Sequence, residues 1–118
     1  MRRKTSVVLK DIIESCERII ANTASVTLEE FRSDIDLQDA VIRRFEIIGE
    51  AAKRVPEDVR SRYPDVPWRL AAGFRDVLIH DNPDVVIDTV YHTGRENLPA
   101  LRDQIKAVLA QLENSEVR

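Results

Sequence analysis

Apolar residues recur along this chain at intervals of three and four, the spacing of helices buried on one face. Val8, Ile12, Cys16, Ile19 and Ile20 carry the first stripe and predict a helix over about residues 5–21, with Arg2, Arg3, Lys10 and Arg18 outside it. The polar stretch 21–25 ends it. Thr27 with Glu30 three positions later reads as a capping box that opens a short turn, docked by Leu28 and Phe31. Leu37, Val41, Phe45, Ile48 and Ala52 predict a second long helix over about residues 37–55, stopped by Pro56. Residues 56–63 read as a short helix or turn. Residues 63–67 read as extended, because positions before proline avoid the helical region. Pro67 then opens a helix predicted over 68 to about 79. Asn82 reads as the N-cap of the next helix, with Pro83 first inside it and Asp84 at the positive end of its dipole. That helix carries Val86, Ile87, Val90 and Tyr91; Gly94 is expected to loosen it, and Asn97-Leu98-Pro99 to restart or kink it. Leu98, Leu101, Ile105, Val108 and Leu112 continue the stripe, and residues 113–118 are expected to fray.

The pattern predicts an all-α protein: an antiparallel bundle of four to five helices, one domain over residues 1–118. A chain of 118 residues is long enough for its own core. Its 43% hydrophobic and 33% charged residues suit a soluble helical protein and argue against disorder. No apolar run approaches the ~18 residues of a membrane span. The basic start leads into an amphipathic helix containing Asp11 and Glu14, so it is not a signal peptide, and a cytoplasmic location is expected. Cys16 is the only cysteine, which excludes an internal disulfide, and its isoleucine neighbours predict a buried thiol. The net charge of −3 argues against a general nucleic-acid binder, so any RNA would meet a local basic patch.

Chemistry concentrates at 74–82. On a helix Arg69, Gly73, Asp76 and His80 form one polar stripe, opposite Trp68, Ala71, Ala72, Leu78 and Ile79, with Leu70, Phe74 and Val77 on the flank. Arg75 falls in the middle of the apolar side, where a guanidinium must be paired or face a cleft. His80 is the side chain able to give and take a proton near neutrality. Five residues of undistorted helix would set Arg75 and His80 ~140° and ~7.5 Å apart. Either the helix ends before His80, or two chains share the site; Pro83 favours the first and Gly73 the second. Asp76 could orient the imidazole from four residues away. Such a set suits metal-free RNA cleavage, with His80 as general base toward a ribose 2′-hydroxyl and Arg75 stabilising the phosphorane. Glu50 is a candidate partner for Arg75 or His80 across the bundle, or an ordinary solvated glutamate beside Lys53 and Arg54. His92 reads as structural. The two histidines and one cysteine have no metal-ligand spacing, and no Gly-rich phosphate loop calls for a cofactor.

Several blocks together resemble the HEPN superfamily and, within it, the HepT-like toxins. They are Arg75-Asp76-Val77-Leu78-Ile79-His80, Ile48-Gly49-Glu50-Ala51-Ala52-Lys53, Tyr63-Pro64-Asp65-Val66-Pro67-Trp68, Gly73-Phe74-Arg75 and Asn97-Leu98-Pro99-Ala100-Leu101. The resemblance covers nearly the whole chain. It implies a helical protomer that dimerises, with two Arg/His sets lining the cleft between subunits. It also implies a metal-independent endoribonuclease acting on tRNA or mRNA, and a minimal nucleotidyltransferase antitoxin that binds the toxin or transfers AMP to it. The branch commonly places the AMP-accepting tyrosine two residues after the motif histidine; here that position is Asn82, which has no hydroxyl. Arg43, Arg44 and Arg69 are candidate RNA contacts that also suit a solvated or salt-bridged surface role. The rival reading is a non-catalytic HEPN module that serves a nucleotidyltransferase as recognition or regulatory subunit.

Overall fold

A computed structural model describes residues 3–74, 76, 78 and 82–116. Among them the backbone is helical, with no strand. The elements are α1 (Arg3–Ala24), α2 (Leu28–Arg32), α3 (Ile35–Arg54), α4 (Glu57–Arg62), α5 (Trp68–Ala72), α6 (Pro83–Glu96) and α7 (Leu98–Glu116).

Local signals place three of the helix starts. Thr27 accepts from the Glu30 N–H while the Glu30 side chain accepts from the Thr27 N–H, which is the predicted capping box. Asp34 caps α3 through the Leu37 N–H, so the helix starts at Ile35, two residues before the apolar stripe begins. Asn82 accepts from the Asp84 N–H at 2.9 Å, and Pro83 follows it in the first turn of α6. The 63–67 connection is pinned from both sides. Trp68 Nε1 donates to the Tyr63 carbonyl, and Gln104 Nε2 to that of Asp65.

Three long packings build the core. α1 lies against α3 and against α7, and α5 lies against α3. Arg95 reaches the Thr23 carbonyl and Lys106 pairs with Glu17, so the chain through α6 and α7 runs antiparallel to α1. These two helices are nearly continuous: the Leu101 N–H bonds the Asn97 carbonyl across the break. At ~1.5 Å per residue, a run from residue 83 to 116 matches the 51 Å long axis of the molecule. Leu9, Ile12, Ile19, Phe31, Ile48 and Leu98 are fully enclosed between the layers.

Several expectations are corrected. Residues 68–79 do not form one uninterrupted helix. Gly73 caps α5 by sharing its N–H between the Arg69 and Leu70 carbonyls, a tightening common at helix ends. Helical backbone resumes at Phe74, Asp76 and Leu78. Leu70, placed by periodicity on the apolar flank, lines a cavity with Phe74 and Leu78 there but is 55% exposed. Gly94 does not loosen its helix; it is buried where α6 crosses α1. Residues 113–116 remain helical, and α1 extends three residues past the predicted end.

Candidate functional site

The motif region is held from the core side by aromatic packing. Phe74 is buried and meets the Phe45 ring edge-on at 5.0 Å, which ties the chain after Gly73 to α3. Four residues on, half-buried Leu78 stands between two cavities. One, of about 230 Å³, is bordered by Phe45, Leu70, Phe74, Thr89 and Val90. The other is a groove of about 700 Å³ between α3 and α6, with Ile42, Val86 and Ile87 in its lining. Pro83 and Asp84 form its wall just after the Asn82 cap.

The far end of the groove is closed by an ion pair that sequence reasoning missed. Arg32 Nε and Nη2 donate to the two Asp88 carboxylate oxygens at 2.8 and 2.6 Å. The guanidinium holds the Asp88 carboxyl below the usual carboxylate range, and Asp88 in turn raises the guanidinium. Gln38 stands beside them, its Nε2 donating to the Phe31 and Arg32 carbonyls and closing the end of α2. No short-range signal links positions 56 residues apart, so the pair could not be found from spacing.

Arg75 and His80, the central pair of the sequence reading, lie outside the described residues. Asp76 is exposed, and its N–H bonds the Gly73 carbonyl at 3.1 Å. Glu50 is half-buried on α3, seven residues after exposed Arg43 and so on the same stripe of that helix. Arg44 points ~100° away from Arg43, and Arg69 is exposed on α5. The three arginines therefore do not share one helix face. Asn82 is bound into the α6 cap, as its position before Pro83 predicts. Among the described residues no group of three His, Cys, Asp or Glu side chains is placed to hold a metal, and no helix is long and apolar enough to cross a membrane.

The family described as ribonuclease HepT-like matches residues 12–108, a span that contains α2 to α6 and the whole motif region. The chain belongs to that family. Among its relatives, a Thermococcus cleftensis protein named "Probable ribonuclease HepT" is 39% identical over 90% of this chain and 96% of its own. Two Methanocaldococcus jannaschii proteins, each named a putative RNase, are 34% and 36% identical; they cover 98% and 95% of this chain, and 95% and 97% of their own. No solved structure matches significantly. HepT-like membership supports a ribonuclease-type function and places the all-α fold in the HEPN superfamily.

Proposed function

We propose that this HepT-like protein is the toxin of a toxin–antitoxin module, a metal-independent endoribonuclease that cuts tRNA or mRNA. The carrying observation is the HepT-like match, whose span includes Arg75, Asp76 and His80. In this reading the His80 imidazole takes the proton of a ribose 2′-hydroxyl. The freed 2′-oxygen attacks the adjacent phosphorus, and Arg75 stabilises the charge gathering on the phosphorane oxygens. The bond to the 5′-oxygen breaks, a second histidine protonates that oxygen, and a 2′,3′-cyclic phosphate remains. Asp76 orients His80, Glu50 and Asn82 support the cleft, and Arg43, Arg44 and Arg69 supply phosphate contacts.

The second histidine comes from a second copy, which also removes the ~140° separation within one chain. Supporting a homodimer, Leu70 and Val85 are 55% and 52% exposed, and Leu70 borders the apolar cavity beside Leu78. The proposed partner is a minimal nucleotidyltransferase antitoxin that acts by occlusion. Asn82 has no hydroxyl to receive AMP, and the buried Tyr91 hydroxyl is engaged by Val26 and Arg95.

The test is incubation of total tRNA and mRNA with purified protein in excess EDTA, beside Arg75→Ala and His80→Ala. The wild type is expected to cut and leave cyclic-phosphate ends, with both variants reduced on the order of a hundredfold or more. Cleavage surviving in both variants would place the activity elsewhere. No cleavage by a folded, antitoxin-free wild type would favour the non-catalytic module.

A further inference from the structure

The groove between α3 and α6 has a lining of two kinds. Ile42, Leu78, Val86 and Ile87 give it an apolar floor within about 700 Å³, a volume typical of ligand sites. Around that floor the described charged side chains are mostly acidic. Asp84 and Asp88 line the α6 side. On α3, Asp39 and Glu46 stand three residues before and four after Ile42, and so share its face. Of the basic side chains nearby, Arg32 is already held by both oxygens of Asp88, and Arg43 is turned ~100° further round α3 than Ile42.

We propose that this groove seats a segment of a partner protein, one that carries an apolar anchor residue between lysines or arginines. The floor takes the anchor, because apolar side chains buried at the centre of an interface contribute most of its affinity. Asp84, with Asp39 and Glu46 on the adjoining face of α3, meets the flanking cations and raises the rate of encounter. Among the described side chains a polynucleotide is disfavoured, since its phosphates would meet Asp84 and the Asp39 and Glu46 face of α3, with the Arg32 guanidinium already held by Asp88. Leu78 and Pro83 are two of the walls. The inference does not rest on the ribonuclease reading.

The experiment is amide chemical-shift mapping on the full-length chain. The probes are acetyl-Arg-Lys-Leu-Ile-Lys-Arg-amide, the same peptide with glutamate at each basic position, and a single-stranded RNA hexamer. Saturable shifts centred on Gln38, Ile42, Leu78, Val86 and Ile87 are expected with the basic peptide alone. Asp84→Lys and Asp39→Lys, both at exposed positions, should each weaken it about tenfold, with circular dichroism confirming that they fold. Ile87→Lys should abolish binding; if that variant does not fold, the two surface variants decide. No shifts, shifts centred elsewhere, or the same amides moved by the RNA hexamer would overturn the proposal. Peptide binding without RNA cleavage leaves the groove standing, and cleavage without peptide binding removes it.

Discussion

The Tyr91 hydroxyl donates to the Val26 carbonyl at 2.7 Å, locking α6 to the turn that follows α1. Arg95 completes the clasp, with Nη1 bonded to the Tyr91 hydroxyl at 3.1 Å and to the Thr23 carbonyl at 3.0 Å. Tyr91→Phe keeps the ring against Phe31 but leaves the Val26 carbonyl without this donor. A loss of about 1–2 kcal/mol is expected in urea unfolding. An unchanged midpoint would mean that water replaces the bond.

Gly94 sits where α6 crosses α1. A Cβ there would stand 2.8 Å from Ile19 Cγ2 and 3.0 Å from Thr23 Cγ2, both on stiff, buried side chains. Alanine would gain ~1 kcal/mol of helix propensity, but crowding costs about 1–3 kcal/mol. Gly94→Ala should therefore be net destabilising. A higher thermal midpoint in the variant would show that the two helices part easily.

The Arg32–Asp88 pair predicts an acid-sensitive coupling. Its carboxyl is held below the ordinary range by the guanidinium, so its contribution is present above the unfolded carboxylate pKa and lost as pH falls through the folded value. Both side chains are exposed, so the coupling should be modest and weakened by salt. A double-mutant cycle with Arg32→Ala and Asp88→Ala should find it at neutral pH and not in strong acid. Coupling that is the same at both would point to packing rather than charge.

Burial pushes the Cys16 thiol from its ordinary value of 9.0 up to about 12, with Glu17 adding to the rise and Arg102 opposing it. In the unfolded chain the thiol ionises at the ordinary value, so stability should fall as pH rises from 9.0 toward about 12. Cys16→Ala should flatten that part of the stability profile, at the cost of a small cavity. The native thiol should also resist disulfide reagents until the protein unfolds. Rapid labelling of native protein would contradict its enclosure.

Leu70 separates protomer stability from association. It is exposed in the single chain, so Leu70→Asp should leave the unfolding free energy within ~0.5 kcal/mol. It should convert the proposed dimer to monomer in sedimentation. A dimer that survives would place the shared surface away from α5.

What depends on near neighbours was legible in the sequence. The Thr27–Glu30 box and the Asn82–Pro83 start of α6 were readable because capping involves backbone groups two or three residues away. The core faces of α1 and α3 were readable because one helical period sets them, and Cys16 lies buried among Ile12 and Ile19 as its spacing requires. The family resemblance was also present in the linear pattern.

Only the tertiary structure decided the rest, because it depends on where helices cross. Gly94 reads as a weak point in a helix until Ile19 and Thr23 are seen against it. Periodicity sets Leu70 on one flank with Phe74, and only the structure shows that Phe74 is buried there while Leu70 is 55% exposed. Arg32 finds Asp88 across 56 residues, and Ile42 shares a groove with Leu78 and Ile87, through the placement of α2, α3 and α6. Periodicity says which face of a helix is buried; packing alone says what it is buried against.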